Sequence, residues 1–242
     1  MPWPAELPKG RVLPPEGRHI TLVFLGNVDW EAWEGKLDQV PPLPMQVGPV
    51  GVTDECLLLR NVVAWHVNLL EQGEVLSNYY QTLRTFCEGE DEREWRPHIT
   101  LARKPFDGPA WQKAFEPLPV AITGMHLYES TGNLTYVSLR SWEMVRPFDE
   151  FPHTADIAFR VRGESVEQIF LHAALALAFE YPPLMRYADE VSVGDLDDVV
   201  IALNDLIARA DADIGVPFKA VSFAGELEER EGLLEWGMIV DV

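Results

Sequence analysis

One tetrapeptide, His-Ile-Thr-Leu, occurs twice in the chain, at His19–Leu22 and at His98–Leu101. The two copies use two of only six histidines in 242 residues. An imidazole titrates near neutral pH, so one ring can accept a proton from water while a protonated one donates to a leaving oxygen. Two threonine hydroxyls can hydrogen-bond the non-bridging oxygens of a phosphorus centre as charge builds there. The doubled motif therefore predicts phosphodiester chemistry without a metal.

Each copy is predicted to lie on a β-strand. Because side chains alternate between the two faces of a strand, His19 and Thr21 point the same way, about 6–7 Å apart, as do His98 and Thr100. The isoleucine and leucine of each copy then point into a core. If the two copies lie side by side across a pseudo-two-fold axis, both imidazoles and both hydroxyls converge on one cleft.

Two arginines near the second copy are candidates for binding a phosphate. Arg96 precedes His98 by two residues and lies on the His98 face if the strand continues through Pro97. Strict alternation places Arg103 on the face opposite His98. Both arginines are retained as candidate substrate-binding residues.

The other histidines of interest, and both cysteines, have no comparable partners in the sequence. His66 lies in an apolar strand pattern and His172 on a predicted helix, and we interpret them, with His126, as structural residues. Cys56 and Cys87 are far apart in apolar surroundings, which predicts buried thiols rather than a disulfide framework or a thiolate zinc site.

Charge disfavours a general nucleic-acid binder. The chain has 19 basic and 39 acidic residues, a formal net charge of −20, which repels a phosphate backbone. Residues 1–148 contain 13 Lys and Arg against 19 Asp and Glu, whereas residues 149–242 contain 6 against 20. No apolar run is long enough to span a bilayer, and the N-terminus lacks a signal pattern, so we expect a cytoplasmic protein without a membrane partner.

The charge shift coincides with a change of pattern near residues 146–149, which predicts two domains, 1–148 and 149–242. The first is predicted to contain a hairpin of Cys56–Leu59 with Val62–Leu70 and an amphipathic helix at Glu74–Cys87. For the second, the predicted elements are strand Asp156–Val161, a helix after Ser165, a helix at Asp195–Arg209, and strands Phe218–Phe223 and Glu235–Val240. Both domains are therefore predicted to be α+β.

The segments HITLVFLG and PHITLARK resemble the signature motifs of the 2H phosphoesterases, in particular the LigT-like RNA 2′,3′-cyclic phosphodiesterases. The later segments MHLYES and TYVSL resemble the closing strands of that family, so the resemblance spans residues 12–142. It implies a bilobal fold with duplicated HxT strands and catalytic roles for His19, Thr21, His98 and Thr100. It also implies that a terminal 2′,3′-cyclic phosphate is opened to a 2′-phosphate without a cofactor, with His19 as proton donor and His98 as acceptor. Arg103 matches a frequent family position.

The segment FPHTADIAFRVRGESVEQIFLHAALALAF and the final WGMIVDV resemble archease, a small α+β protein that assists the GTP-dependent RNA-splicing ligase. The resemblance implies a metal site formed by Asp156, Asp241 and the last residue, Val242. Oxygen ligands of this kind favour a hard cation, calcium or magnesium, over zinc. The alternative interpretation is that both aspartates are solvated residues at strand ends.

These observations predict an enzyme that hydrolyses RNA ends bearing a 2′,3′-cyclic phosphate, fused to a domain that assists a GTP-dependent RNA ligase. Such an enzyme would act in RNA processing such as tRNA splicing. One alternative is a non-catalytic ligase activator or adaptor whose first domain only binds RNA ends. Another keeps the enzyme but gives it a small nucleotide as substrate.

Overall fold

A five-stranded antiparallel sheet forms the first half of the chain, in the order β1-β4-β3-β2-β5. A computed structural model describes residues 4, 6–88, 94–153, 156–188 and 191–242. The five strands are β1 (Gly10–Val12), β2 (Val50–Leu58), β3 (Val62–Leu69), β4 (His98–Phe106) and β5 (Pro119–Ala121). The predicted hairpin is thus present as β2 and β3, with β2 beginning six residues earlier than expected.

One face of this sheet is covered by an apolar core and the other is left for the site. On β3 the alternate residues Val63, Trp65 and Val67 are fully buried, and they pack with Ile99 and Leu101 of β4. Alternation therefore places residues 62, 64 and 66 of β3 on the opposite face. The same rule places the histidine and threonine of the second HITL copy on that opposite face.

The described residues of the first half also form three α-helices and a separate two-stranded sheet. They are α1 (Trp30–Glu34), α2 (Gly73–Phe86), α3 (Gly108–Lys113), β6 (Gly124–Gly132) and β7 (Thr135–Glu143). Helix α2 buries Leu76, Tyr79, Tyr80 and Leu83, the stripe on which its prediction depended. Trp111 of α3 is fully buried in the core under the five-stranded sheet.

The second half is a sheet in the order β10-β12-β9-β8, with β11 paired to β12, covered by two helices. The elements are β8 (Phe148–Phe151), β9 (Ile157–Gly163), α4 (Val166–Glu180), α5 (Leu196–Ile214), β10 (Ala220–Phe223), β11 (Glu228–Arg230) and β12 (Leu233–Asp241). The predicted α+β class is confirmed. The proposed boundary at 148/149 falls at the start of β8, the first strand of this sheet.

Each of these two helices begins after a side chain that caps its N-terminus. The Ser165 hydroxyl accepts a hydrogen bond from the Gln168 amide at 3.3 Å, and the Asp195 carboxylate accepts one from the Asp198 amide at 3.0 Å. Side-chain oxygens at these positions satisfy amides that the first helical turn leaves unpaired. Helix α4 is apolar on nearly all sides because it is buried between the sheet and α5.

The two halves touch through a buried polar contact. His172 of α4 is fully buried, and its Nε2 lies 2.6 Å from Oε1 of Glu71, which precedes α2 in the first half. The Glu164 carboxylate also accepts a hydrogen bond from the Gln46 amide at 3.4 Å. His172 is therefore structural, as predicted, and it ties the halves together.

In the parts of the chain that the structure describes, no helix combines the length and the apolar character needed to cross a bilayer.

Candidate active site

The two HITL copies lie side by side and antiparallel. Ile20 of the first copy is paired with Ile99 of the second in an isolated antiparallel bridge. The next residues on either side of this pair face each other, so His19 lies across from Thr100, and Thr21 lies across from His98. Each imidazole is thus placed opposite the hydroxyl of the other copy.

The two copies differ in their secondary structure. The second begins β4, as predicted, whereas the first makes the Ile20 bridge but forms no strand in the described part of the chain. A strand requires a ladder of hydrogen bonds to a neighbouring strand. The residues directly after Ile20 form no such ladder. The carbonyl of Thr21 accepts a hydrogen bond from the Trp95 indole at 3.0 Å, which adds a second attachment to the region of β4.

Both motif histidines are fixed in the same way by the backbone. His19 Nδ1 lies 2.9 Å from the carbonyl oxygen of Gly17, and His98 Nδ1 lies 2.7 Å from that of Arg96. In each case the acceptor is two residues earlier in the chain. Because a carbonyl oxygen only accepts, Nδ1 carries the hydrogen and Nε2 is the nitrogen that can gain or lose a proton. His19 and His98 therefore have the same tautomer as well as the same sequence motif.

Burial lowers the pKa of His19 below its ordinary value of 6.5. The Gly17 carbonyl opposes this shift, and the nearby His98 adds to it. The ring is covered by two tyrosines of the β6–β7 sheet, Tyr128 and Tyr136, at centroid distances of 5.4 and 4.9 Å. Burial also raises the pKa of the Tyr128 hydroxyl. His19 is therefore held mainly neutral at neutral pH in the free protein.

A cleft of about 1360 Å³ opens between the five-stranded sheet and the β6–β7 sheet. His19, Thr21, Thr100 and Arg103 line it. His98 is half-buried at the start of β4, beside Thr21, and does not itself line the cleft wall. Three of the four predicted catalytic side chains thus share the cleft, and the fourth lies at its edge.

Arg103 lies on the His98 face, contrary to the strict alternation assumed from the sequence. Thr100 of β4 pairs with Ala64 of β3, and Ala102 pairs with the adjacent Val63. Leu101 therefore lies between them as an extra residue of β4. Such a bulge reverses the alternation of the strand beyond it. Arg103 then pairs with Val62, which belongs to the face opposite the core.

Arg96 is engaged elsewhere. Its guanidinium Nη2 lies 2.6 Å from a carboxylate oxygen of Glu55 on β2, and both side chains are more than half exposed. Arg96 does not line the cleft. Of the two predicted phosphate-binding arginines, the structure brings Arg103, and not Arg96, to the predicted catalytic residues.

Sequence reasoning missed His66 as a neighbour of the site. In the β3–β4 register His66 is the direct partner of His98, and its Nδ1 lies 2.6 Å from Oδ1 of Asp54. The apolar pattern around His66 suggested a core position. Alternation with the buried Trp65 and Val67 was the signal that placed it on the opposite face.

The predicted metal ligands lie at one edge of the second sheet. Val240 pairs with Ile157, so the strand ends bearing Asp241 and Asp156 are adjacent. The ammonium of Lys219, however, lies 3.5 Å from an Asp241 carboxylate oxygen and 2.6 Å from the Val242 oxygen. A lysine thus already supplies positive charge to these oxygens. Within the described ranges, no three His, Cys, Asp or Glu side chains are grouped as metal ligands. The metal site at Asp156, Asp241 and Val242 therefore stays a prediction.

One protein family and several solved structures are similar to parts of this chain. The model of the archease protein family matches residues 148–181. Among solved structures, one described as a phosphoesterase is similar with 26% identity, covering 56% of this chain and 82% of that one, with a TM-score of 0.42. E. coli LigT in its apo form is similar with 24% identity over 56% and 81%, with a TM-score of 0.43. E. coli LigT complexed with 3′-AMP gives 23% identity over 56% and 81%, with a TM-score of 0.42. No curated protein sequence matches the chain.

Proposed function

We propose that the chain is a 2H phosphodiesterase that hydrolyses terminal 2′,3′-cyclic phosphates without a metal. The observation that carries this proposal is the crosswise pairing of the two HITL copies, in which each imidazole faces the hydroxyl of the other copy. The resemblance of both motifs to the LigT-like family supports the same substrate class.

The reaction requires one neutral and one protonated imidazole. The Nε2 of the neutral ring takes a proton from water, and the water oxygen bonds to phosphorus. The bond from phosphorus to the 3′ oxygen breaks, and the protonated ring gives its Nε2 proton to that oxygen, which leaves a 2′-phosphate. Since both Nδ1 atoms are committed to backbone carbonyls, proton transfer at Nε2 needs no change of tautomer.

The threonines and Arg103 supply donors for the phosphate. Thr21 and Thr100 lie on opposite sides of the Ile20–Ile99 pair, so their hydroxyls can reach two non-bridging oxygens of one phosphate. Arg103 adds a guanidinium to the same cleft. Donors placed before the reaction stabilise the charge of the pentacoordinate phosphorus at little reorganisation cost.

The family resemblance and the pKa of His19 disagree on which histidine donates the proton. The family resemblance implies that His19 donates and His98 accepts. The lowered pKa of His19 favours its neutral form, which accepts. Either order gives a rate that depends on one protonated and one neutral ring.

The pH dependence of kcat/KM is expected to be bell-shaped, with its acid limb centred below pH 6.5. The rate falls on the acid side once both rings are protonated, and burial moves the His19 pKa below 6.5. Steady-state rates from about pH 4.5 to 9 test this. Tyr136→Ser exposes the His19 ring and is expected to move the acid limb upward. An acid limb centred above 6.5 in the unmodified protein contradicts the prediction.

Arg103→Leu is expected to lower kcat/KM by about 10- to 100-fold, because it removes a charged donor from the cleft. Lys113→Leu serves as the control, since Lys113 is an exposed cation at the end of α3 and lies outside the cleft wall. It should change kcat/KM by less than about threefold. Equal losses in both variants would refute the assignment of Arg103.

The direct test is an oligonucleotide that ends in a 2′,3′-cyclic phosphate, incubated with the protein and a chelator. The expected product is the 2′-phosphate, identified by comparison with both phosphate isomers. Absence of hydrolysis, a strict metal requirement, or a 3′-phosphate product would contradict the proposal.

The strongly acidic chain supports a second candidate substrate, a small nucleotide bearing the same cyclic phosphate. A net charge of −20 disfavours long contacts with an RNA backbone, so the protein would bind the last nucleotide or two. Comparing kcat/KM for a cyclic mononucleotide and a cyclic-ended oligonucleotide separates the two. Equal values favour a small substrate, and a large gain with length favours RNA.

For residues 149–242 we propose assistance of a GTP-dependent RNA ligase, on the basis of the archease family match at 148–181. The excess of acidic residues in this half suits a basic surface on such a ligase. Stimulation of ligase turnover that Asp241→Ala abolishes, with hydrolysis intact, would support a separate role for this half. Stimulation without any hydrolysis by the wild type would favour the non-catalytic activator instead.

A further inference from the structure

Three side chains form a row across the site face of the five-stranded sheet: Glu55 on β2, His66 on β3 and His98 on β4. Glu55 is the register partner of His66, and His66 is the partner of His98. Register partners project from the same face of a sheet. We call this set the His66 row, and Thr21 of the first HITL copy lies at its far end, across from His98.

His66 and His98 are close neighbours within this row. The Val67 amide donates to the Pro97 carbonyl at 2.9 Å, so the residue pair beside His66 and His98 is joined by a ladder bond. The His66–His98 pair is then of the other, more closely spaced type, in which Cβ atoms lie about 4.5–5.5 Å apart. A group bound at His98 Nε2 is therefore within reach of the His66 side chain.

The His66 ring is anchored at one nitrogen. Its Nδ1 lies 2.6 Å from the Asp54 carboxylate, and Asp54 is the extra residue of a bulge in β2 opposite His66. The carboxylate accepts from Nδ1, which leaves Nε2 as the second polar atom. In the described part of the chain, that nitrogen has no hydrogen-bond partner, and the side chain is 21% exposed. The bulge thus places the Asp54 carboxylate against the partly exposed His66 ring beside the site. Bulges that re-aim a side chain are common next to active sites.

The charges around His66 indicate what it would bind. Asp54 and Glu55 bring two carboxylates to the row, and Arg96 offsets one of them by its ion pair with Glu55. A second phosphate would meet the remaining negative charge here. An uncharged hydrogen-bonding group is not repelled in this way.

We propose that His66 is a substrate-binding residue that hydrogen-bonds an uncharged polar group of the terminal nucleoside while its cyclic phosphate lies between His19 and His98. This assignment rests on the proposed function. The uncharged group is a polar edge of the base or, in a free nucleoside 2′,3′-cyclic phosphate, the 5′-hydroxyl, because the cyclic phosphate occupies the 2′ and 3′ oxygens. The site would then recognise the terminal nucleoside itself and need no preceding phosphate.

The test compares His66→Leu with the wild type on a nucleoside 2′,3′-cyclic phosphate. The KM is expected to rise about tenfold with kcat within about twofold, because the lost contact is made equally in ground state and transition state. Asp54→Asn, which weakens the anchor, should raise KM by a smaller factor. Asn68→Ala is the matched control: Asn68 is exposed, two residues along β3 on the same face, and away from His98. It should leave both constants unchanged.

A second arm uses the base-free ribose 2′,3′-cyclic phosphate. A tenfold rise in KM on both substrates identifies a ribose contact, and a rise on the nucleotide alone identifies a base contact. An active wild type with unchanged KM in His66→Leu overturns this assignment only. An equal rise in Asn68→Ala, or a loss confined to kcat, also overturns it. A wild type inactive on every cyclic phosphate overturns the proposed function, and this assignment with it.

Discussion

His98→Ala is expected to lower kcat for cyclic-phosphate hydrolysis by about 10²- to 10⁴-fold, the usual contribution of a positioned acid or base. His98 lies across from Thr21, and its tautomer is fixed by the Arg96 carbonyl at 2.7 Å. The alanine variant lacks the imidazole Nε2 that exchanges a proton at this position. Single-turnover rates with the enzyme in excess over a cyclic-ended dinucleotide measure the chemical step directly.

His19→Ala should cause a loss of similar size, and the double variant should be little worse than either single variant. Groups that act as one unit are strongly non-additive, because removing either partner already disables the mechanism. His153→Ala is the histidine control and should leave kcat unchanged, since that side chain lies beside Asp156 in the second half. Full activity in either motif variant would refute the paired acid–base scheme.

Glu71→Ala is expected to destabilise the protein by about 1–3 kcal/mol, the usual cost of leaving a buried polar group without its hydrogen-bond partner. The side chains of His172 and Glu71 are 0% and 10% exposed. The His172 ring also places Nδ1 2.5 Å from the Arg162 carbonyl, so acceptors face both of its nitrogens. Without the Glu71 carboxylate, Nε2 is left buried and unpaired. The free energy of unfolding in urea measures the loss.

Two further variants test whether the loss comes from that pairing. Glu74→Ala removes an exposed carboxylate three residues away, in the first turn of α2, and should cost no more than about 1 kcal/mol. Glu71→Leu combined with His172→Leu replaces both polar groups by apolar ones and should recover much of the stability. A loss in the double variant as large as in Glu71→Ala would contradict the explanation.

Local patterns in the sequence were sufficient for most elements of the fold. The capping residues Ser165 and Asp195 begin α4 and α5, because a side-chain oxygen at these positions satisfies free amides of the first turn. The apolar stripe of α2 and the turn between β2 and β3 are likewise encoded within about a dozen residues. The HITL repeat, likewise local, predicted side chains that the fold brings to one cleft, namely His19, Thr21 and Thr100.

The features that sequence reasoning missed depend on partners distant in the chain. The bulge at Leu101 is visible only in the register between β3 and β4, and it turns Arg103 to the site face. His66 became a neighbour of His98 through the same register. The buried contact of His172 with Glu71 joins residues 101 positions apart. Local periodicity carries no information about such pairings. His66 and His172 both have apolar neighbours in the sequence, so the sequence did not distinguish the site-facing histidine from the buried one.

The single Ile20–Ile99 pair has a consequence for how ligand and protein stabilise each other. A phosphate bound by one hydroxyl and one imidazole from each copy would link the two copies, whose backbones pair only at Ile20 and Ile99 within the described HITL segments. Binding would then slow the exchange of the Ile20 amide with solvent far more than that of amides within β4, which pairs with β3 at several positions.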